Sequence, residues 1–207
     1  LRARYGAEDR PLIFFPHRLI REKGIFELVQ AVPGILRRTD AVVVFAGDGP
    51  GRPLVEDLVR AHPRCHYIGY LRSREEMAAH LASADLAFAL SPYETFGFSI
   101  VEAMAAGVPL VGPGGGAGRD WIRRSGCGVT IAQGDAQVLE DATVHLVQHP
   151  DRAAMGARGR DFAASNLTWS HVFERQLALY RQMIDHRRGL NPIQSWPVRW
   201  LPETISA

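Results

Sequence analysis

The chain has little of what defines several functional classes. Only two of its 207 residues are cysteines, Cys65 and Cys127, and both lie beside the starts of predicted strands. We therefore expect reduced core thiols and a cytosolic setting, without a disulfide framework. No apolar run is long enough to span a membrane. The formal net charge is only +2, with both signs mixed, which excludes the strong positive field of a nucleic-acid-binding domain.

Several motifs of metal and cofactor chemistry are missing as well. The sequence has no Asp-x-Asp pair that could hold a divalent ion on a diphosphate, no Cys-x-x-Cys and no paired helical histidines around a glutamate. It also lacks the Gly-x-Ser-x-Gly elbow of serine hydrolases. The glycine-rich segment 112–118 has neither the spacing of a dinucleotide fingerprint nor the Gly-Lys-Ser/Thr of a P-loop. The sequence thus predicts no metal and no cofactor.

The residues that are present predict an α/β fold. Short apolar runs alternate with amphipathic segments, and parallel strands joined by helical crossovers form a doubly wound sheet. We expect about six strands in a Rossmann-like sheet, followed by helices at the C-terminal end. The predicted strands are 12–15, 41–46, 65–68, 86–90, 108–111 and 129–131, and the predicted helices are 25–36, 52–61, 74–82, 98–106, 118–124, 136–148, 152–165 and 169–186.

The domain organisation follows from the same pattern. We interpret residues 1–10 as the end of an interdomain linker, because the chain starts without methionine and without a secretory pattern. Residues 11–186 then form one Rossmann-like domain. Residues 187–207 form a tail, since Pro192 and Pro197 cannot continue a helix. The apolar tail segment 196–200 favours contact with an absent domain.

Unusual polar residues follow the predicted strands, and the carboxyl ends of parallel strands are where such sheets bind ligands. Arg18 and Lys23 come after the first strand. A guanidinium can clasp a phosphate through two hydrogen bonds, and an ammonium adds a point charge. Two fixed cations would stabilise the charge that develops on a leaving diphosphate. The alternative is that both are solvated surface cations.

Two glutamates, Glu94 and Glu102, flank the turn Phe96-Gly97-Phe98 at a predicted helix start. Free backbone N–H groups at a helix start favour an anion. Glu102 lies about one turn into the helix and is placed to accept hydrogen bonds from a ribose diol. The alternative for either glutamate is an exposed acid that complements the helix dipole.

Taken together, these motifs resemble the signature of group 1 retaining glycosyltransferases, which have two Rossmann-like domains in a GT-B fold. The resemblance rests on Arg18-Leu-x-x-x-Lys23-Gly and on the run from Ser91 through Glu94 and Glu102 to Pro109. It implies that this chain is the C-terminal, donor-binding domain.

The resemblance also assigns roles. It makes Glu94, Arg18 and Lys23 the catalytic residues, with Glu94 near the reacting carbon of the donor sugar. It places Glu102 on the ribose. The remaining implied donor contacts are the turn Phe96, Gly97 and Phe98, and the loop residues Tyr70 and Leu71, where the base packs. Whether Tyr70 stacks on the base or is a half-buried aromatic stays open.

Two positions depart from the family pattern. His17 stands where the family has glycine or serine before the arginine, and segment 112–118 is longer than the family's Gly-Gly turn. For that segment, a plain flexible turn and a donor-facing loop are equally compatible. The turn that begins at Gly47, Gly47-Asp48-Gly49-Pro50, is interpreted as structural.

The partners implied by the resemblance are a nucleoside-diphosphate sugar, with UDP or GDP, and a glycan, lipid-linked or small-molecule acceptor held by an absent N-terminal domain. The longer protein would be cytoplasmic, with peripheral membrane association as an option, and would act in glycan biosynthesis without a metal. The alternative function is a non-catalytic nucleotide-sugar-binding module. The sugar, the base and the acceptor stay open.

Overall fold

A computed structural model describes residues 1–132 and 134–187. It contains a six-stranded, fully parallel sheet with the strand order β3-β2-β1-β4-β5-β6. The fold class predicted from the sequence is thereby confirmed: a doubly wound, Rossmann-like α/β sheet. The strands are β1 Leu12–Pro16, β2 Val42–Ala46, β3 Cys65–Tyr67, β4 Leu86–Phe88, β5 Leu110–Pro113 and β6 Gly128–Ile131.

Helices connect the strands and cover both faces of the sheet. From β1 the chain moves outward to β3, then returns and continues to β6 on the other side, so right-handed crossovers place the two sets of helices on opposite faces. The helices are α1 Ile25–Arg38, α2 Arg52–Ala61, α3 Arg74–Ser83, α4 Phe98–Ala105, α5 Gly116–Ser125, α6 Ala136–Gln148, α7 Arg152–Asn166 and α8 Trp169–Arg187. Two short 3-10 turns, Arg2–Tyr5 and Arg21–Lys23, precede β1 and α1.

The core lies on both sides of the two longest strands, the neighbouring β1 and β2. Phe15 and Phe45 are paired in the sheet register and belong to the same buried cluster as the apolar face of α1. Phe14 points to the other face and stacks on His80 of α3 at 5.5 Å. Because both faces are covered, these strands are apolar at nearly every position. Both cysteines are buried and free, and burial raises the pKa of the Cys65 thiol to about 12.

The start of β5 differs from the sequence-based prediction. The strand begins at Leu110, although the apolar run begins at Val108. The backbone N–H of Val108 instead donates to Ala103 and that of Gly107 donates to Met104, and Gly107 has φ +75°. These are the two hydrogen bonds of a Schellman motif at the C-terminal end of α4. Because the N–H of Val108 is used in this cap, the strand begins only after Val108.

The N-terminal segment packs against the start of the sheet. Tyr5 is buried, and Arg2 pairs with Asp85 at 2.7 Å. Asp85 also accepts a hydrogen bond from the N–H of Leu12 at 2.8 Å. The interpretation of residues 1–10 as the end of a linker stays a prediction.

The chain divides into two compact units, Leu1–Ala163 and Ala164–Ala207. The described part of the second unit contains α8, in which no residue is buried. The predicted tail, apart from Arg187, lies outside the described residues, as does the apolar segment 196–200. Among the described helices, none is both long and apolar enough to cross a bilayer.

Candidate functional site

A cavity of about 350 Å³ opens at the carboxyl edge of the sheet. The loops after β1, β2, β3 and β4 and the first turns of α4 build it. All the site residues predicted from the sequence line this cavity except Phe96 and Gly97. The lining members of the predicted set are Arg18, Lys23, Tyr70, Leu71, Glu94, Phe98 and Glu102.

Arg18 stands at the mouth of the cavity between two buried neighbours. His17 and Leu19 are buried, and the N–H of Leu19 donates to the carbonyl of Asp48 at 2.9 Å. The backbone around Arg18 is therefore held, while its side chain is exposed. Within residues 1–132 and 134–187, the Arg18 guanidinium has no hydrogen bond or ion pair, so it can meet an incoming anion directly.

Lys23 reaches the cavity from a tight turn. Gly24 follows it with φ +74°, and a Cβ there would lie 2.8 Å from Cβ of Leu90, so only glycine fits. The Lys23 ammonium donates to the carboxylate of Glu94, which lies in the loop after β4. The two side chains are 19% and 25% exposed, so this pair is only partly solvated.

Glu102 lies four residues after Phe98, and therefore on the same face of α4. Both side chains are exposed at the cavity, and Phe98 is 62% exposed. Gly97 is the N-cap with φ +81°, a conformation that favours glycine and starts the helix at this edge. Free N–H groups of the first turn therefore lie at the cavity.

Phe96, one of the predicted donor contacts, packs on an aromatic residue of α5. Its carbonyl accepts a hydrogen bond from Nε1 of Trp121 at 2.7 Å, and its ring lies 5.8 Å from that indole and 4.9 Å from Phe98. Phe96 thus packs toward α5 and does not line the cavity. A direct donor contact by Phe96 or Gly97 stays a prediction.

His17 forms part of the cavity wall, and its role was left open by the sequence. Its Nε2 donates to the carbonyl of Phe88 at 2.7 Å, and its ring lies edge-on to Phe15. Burial lowers the pKa of His17 from 6.5 to about 4. The imidazole is therefore neutral at pH 7 and adds no third cation beside Arg18 and Lys23.

The glycine-rich segment 112–118 packs against the backbone of the loop that carries Glu94. Gly116 has φ +68°, and a Cβ there would lie 2.4 Å from the carbonyl oxygen of Pro92. The N–H of Ala117 donates to the backbone carbonyl of Glu94 at 3.4 Å. Among the described residues, none of this segment lines the cavity. The segment holds the Glu94 loop and does not face the cavity.

Some lining residues were not found from the sequence. Ser99 belongs to the first turn of α4, next to the predicted Phe98, and Met77 comes from α3. Gly47 was interpreted as structural, yet it also lines the cavity, and a Cβ there would lie 1.9 Å from the carbonyl oxygen of His17. The position of Gly47 in a Gly-Asp-Gly turn after a strand could have indicated that it lies at the cavity. No sequence pattern indicated this for Met77.

A second cavity of about 580 Å³ lies at the opposite edge of the sheet and contains several arginines. Arg64 donates to the carbonyls of Leu36 and Thr39 at the end of α1, and Arg38 pairs with Glu140 at 3.0 Å. Arg64 and Arg38 therefore use their side-chain donors in contacts that stabilise the position of α1. No group of three or more metal-ligating side chains occurs among the described residues.

The structure is thus a doubly wound α/β domain with a cavity at the carboxyl edge of its sheet. A family model described as "Glycosyl transferases group 1" matches residues 1–162. The chain therefore belongs to the group 1 glycosyltransferases and corresponds to a C-terminal domain of that family, which confirms the resemblance seen in the sequence.

Two relatives and one solved structure illustrate the relationship. An alpha-D-kanosaminyltransferase from Streptomyces kanamyceticus is 29% identical over 88% of this chain and 48% of its own length. A GDP-mannose-dependent alpha-(1-6)-phosphatidylinositol monomannoside mannosyltransferase from Mycobacterium tuberculosis is 31% identical over 82% of this chain and 47% of its own. The structure of sucrose-phosphate synthase from Thermosynechococcus elongatus matches with a TM-score of 0.74 and 25% identity, covering 89% of this chain and 48% of that one. The chain spans about half the length of the curated relatives it matches.

Proposed function

We propose that this chain binds a nucleoside-diphosphate sugar for retaining transfer of the sugar to an acceptor held by a second domain. The observation that carries the proposal is the convergence of two cations and two carboxylates on one cavity at the carboxyl edge of the sheet. The four side chains come from two separate stretches of the chain, 18–23 and 94–102, and only folding brings the two stretches together.

Each group has a chemical role in this proposal. Arg18 and Lys23 bind the diphosphate and stabilise the negative charge that it gains as the glycosidic bond breaks. The free N–H groups at the start of α4 add to that field. Glu102 accepts hydrogen bonds from the ribose hydroxyls, and the base lies against Tyr70 and Leu71.

In the proposed complex with the nucleotide sugar, Glu94 faces the donor sugar. In retaining transfer the acceptor attacks the anomeric carbon from the face that the diphosphate leaves. The departing phosphate oxygen takes the proton of the acceptor hydroxyl, so the new glycosidic bond forms as the old one breaks. The chemistry needs no cofactor besides the nucleotide sugar and, in this proposal, no metal.

The printed name of the M. tuberculosis relative includes a GDP-mannose donor, which supports a nucleoside-diphosphate sugar as the class of ligand. The base and sugar for this chain are left to experiment. Titration calorimetry with UDP, GDP and ADP and their sugars identifies them, and we expect EDTA to leave the affinity unchanged.

The same titration tests the site. Changing Arg18 or Lys23 to alanine should weaken diphosphate binding by about 1.5–3 kcal/mol, the range for charge-assisted hydrogen bonds. The matched control is Arg37→Ala, because Arg37 is exposed near the end of α1 and lines the opposite cavity. Equal losses from Arg37 and Arg18 would show that the site has been misplaced.

A further inference from the structure

The ion pair between Lys23 and Glu94 occupies the place where the proposed ligand must bind. The Lys23 ammonium donates to the Glu94 carboxylate inside the cavity, and both side chains are about one fifth to one quarter exposed. The neighbouring cation, Arg18, has no such partner among the described residues. One of the two proposed phosphate-binding cations is thus already neutralised by a carboxylate from the chain itself.

This arrangement conflicts with simultaneous phosphate binding. A phosphate that reached the Lys23 ammonium would lie next to the Glu94 carboxylate. The two groups are both anions, so they would repel each other. Partial burial makes the repulsion stronger than it would be on an open surface, because solvent and salt screen it less. The carboxylate and the phosphate therefore compete for the Lys23 ammonium.

The surrounding contacts determine what can move. The backbone carbonyl of Glu94 is held by the N–H of Ala117, and Gly116 packs against the carbonyl of Pro92. Lys23 is followed by Gly24, which packs closely against Leu90. Since both backbones are held, the ion pair opens by rotation of its side chains while the Glu94 loop stays in place.

We propose that Glu94 is a built-in competitor for phosphate at Lys23, and that a bound diphosphate displaces the Glu94 carboxylate and frees it to face the donor sugar. The inference rests on the proposed function. It adds an order of events: the carboxylate becomes available to the sugar only after the diphosphate has taken Lys23. A ligand that places no phosphate at Lys23 would leave the ion pair intact, and Glu94 would then not be available to the sugar.

The test uses calorimetry with UDP and GDP, which carry the diphosphate but no sugar, so that loss of a Glu94–sugar contact cannot affect the result. Glu94→Gln removes the competitor, and we expect it to bind the nucleoside diphosphate three- to tenfold more tightly than the wild type. In a Lys23→Ala background the same change should alter the affinity by less than twofold, because there is no longer a shared cation to compete for.

The control for simple charge removal is Glu22→Gln. Glu22 is exposed in the same turn as Lys23 and has no ion pair among the described residues, so we expect less than a twofold effect. An equal gain from Glu22→Gln, or an undiminished gain from Glu94→Gln without Lys23, would point to general repulsion and overturn direct competition. Thermal melting checks that each variant is folded. Should Glu94→Gln be unstable, Glu94→Asp shortens the reach by one methylene and should also bind more tightly.

The two hypotheses fail in different ways. If the wild type binds the diphosphate and Arg18→Ala weakens it, while Glu94→Gln binds no more tightly than the wild type, only the competition is wrong. If neither the wild type nor any variant binds UDP, GDP or ADP, the proposed function fails and the competition fails with it.

Discussion

At the residue scale, Glu102 and His17 are the two side chains whose chemistry is most directly testable. Glu102 is exposed on the cavity face of α4. Glu102→Gln keeps the shape but weakens the acceptor, so we expect nucleotide binding to fall by roughly 1–2 kcal/mol, with a smaller loss for a 2′-deoxy analogue. Calorimetry measures both, with exposed Glu8→Gln as the control. Wild-type affinity in a folded Glu102→Gln variant would remove the ribose role.

His17 predicts a pH dependence of stability. Its folded pKa of about 4 lies below the ordinary 6.5, so between these values the unfolded chain binds the proton more readily than the folded one. Stability from this group is complete above about pH 6.5, and by pH 4 it has fallen by at most roughly 3 kcal/mol. Urea unfolding at pH 7 and pH 4.5 should show a smaller loss for His17→Gln than for the wild type. If the wild type and His17→Gln lost the same amount of stability between pH 7 and pH 4.5, His17 would not be a buried, neutral imidazole in the folded protein.

At the element scale, the loop between β5 and α5 is predicted to support the site. Gly116 and Gly6 have φ of +68° and +62°, but only at Gly116 would a Cβ meet another atom within 4 Å, the carbonyl oxygen of Pro92. Gly6→Ala should therefore cost only the backbone strain of about 1–2 kcal/mol and leave nucleotide affinity unchanged. Gly116→Ala should cost more stability. It should also make UDP or GDP bind more tightly, because displacing the loop that carries Glu94 weakens the ion pair with Lys23. Equal effects of the two variants on affinity would contradict this.

The helices differ in how much their apolar residues contribute to stability. Leu28 of α1 is fully buried, whereas Leu177 of α8 is 52% exposed. We expect Leu28→Ala to lower the free energy of unfolding by about 2–5 kcal/mol and Leu177→Ala by no more than about 0.5 kcal/mol. Denaturant unfolding of both variants makes the comparison. A large loss at Leu177 would show that this face of α8 is covered in solution.

At the scale of the whole molecule, transfer of a sugar needs an acceptor fixed over the donor with water excluded, and the chain spans about half the length of the curated relatives it matches. We expect the chain alone to bind a nucleoside diphosphate and to transfer no sugar. A longer protein containing a second domain should transfer it. Mass spectrometry of a panel of glycan and lipid-linked acceptors measures transfer. Transfer by the chain alone would refute the need for a second domain.

Local patterns were sufficient for most elements. The bounds of α2 and α6 agree with the predicted 52–61 and 136–148. The residues at the ends of these two helices favour a helix start or a helix end by their own conformational preferences. For β5 the apolar run was misleading, since Val108 serves as a helix cap. That choice depends on hydrogen bonds that the neighbouring α4 offers, which apolarity alone does not encode.

By itself, the sequence determined the doubly wound sheet and the edge at which its polar residues gather, because strand and helix periodicity and the order of elements dictate which strand ends meet. Only the tertiary structure decided which side chains face the cavity: it turned Phe96 toward Trp121, buried His17 against Phe88 and paired Lys23 with Glu94. These contacts join residues 25 to 71 positions apart. Their geometry depends on how whole elements pack, and no local preference of the chain specifies it.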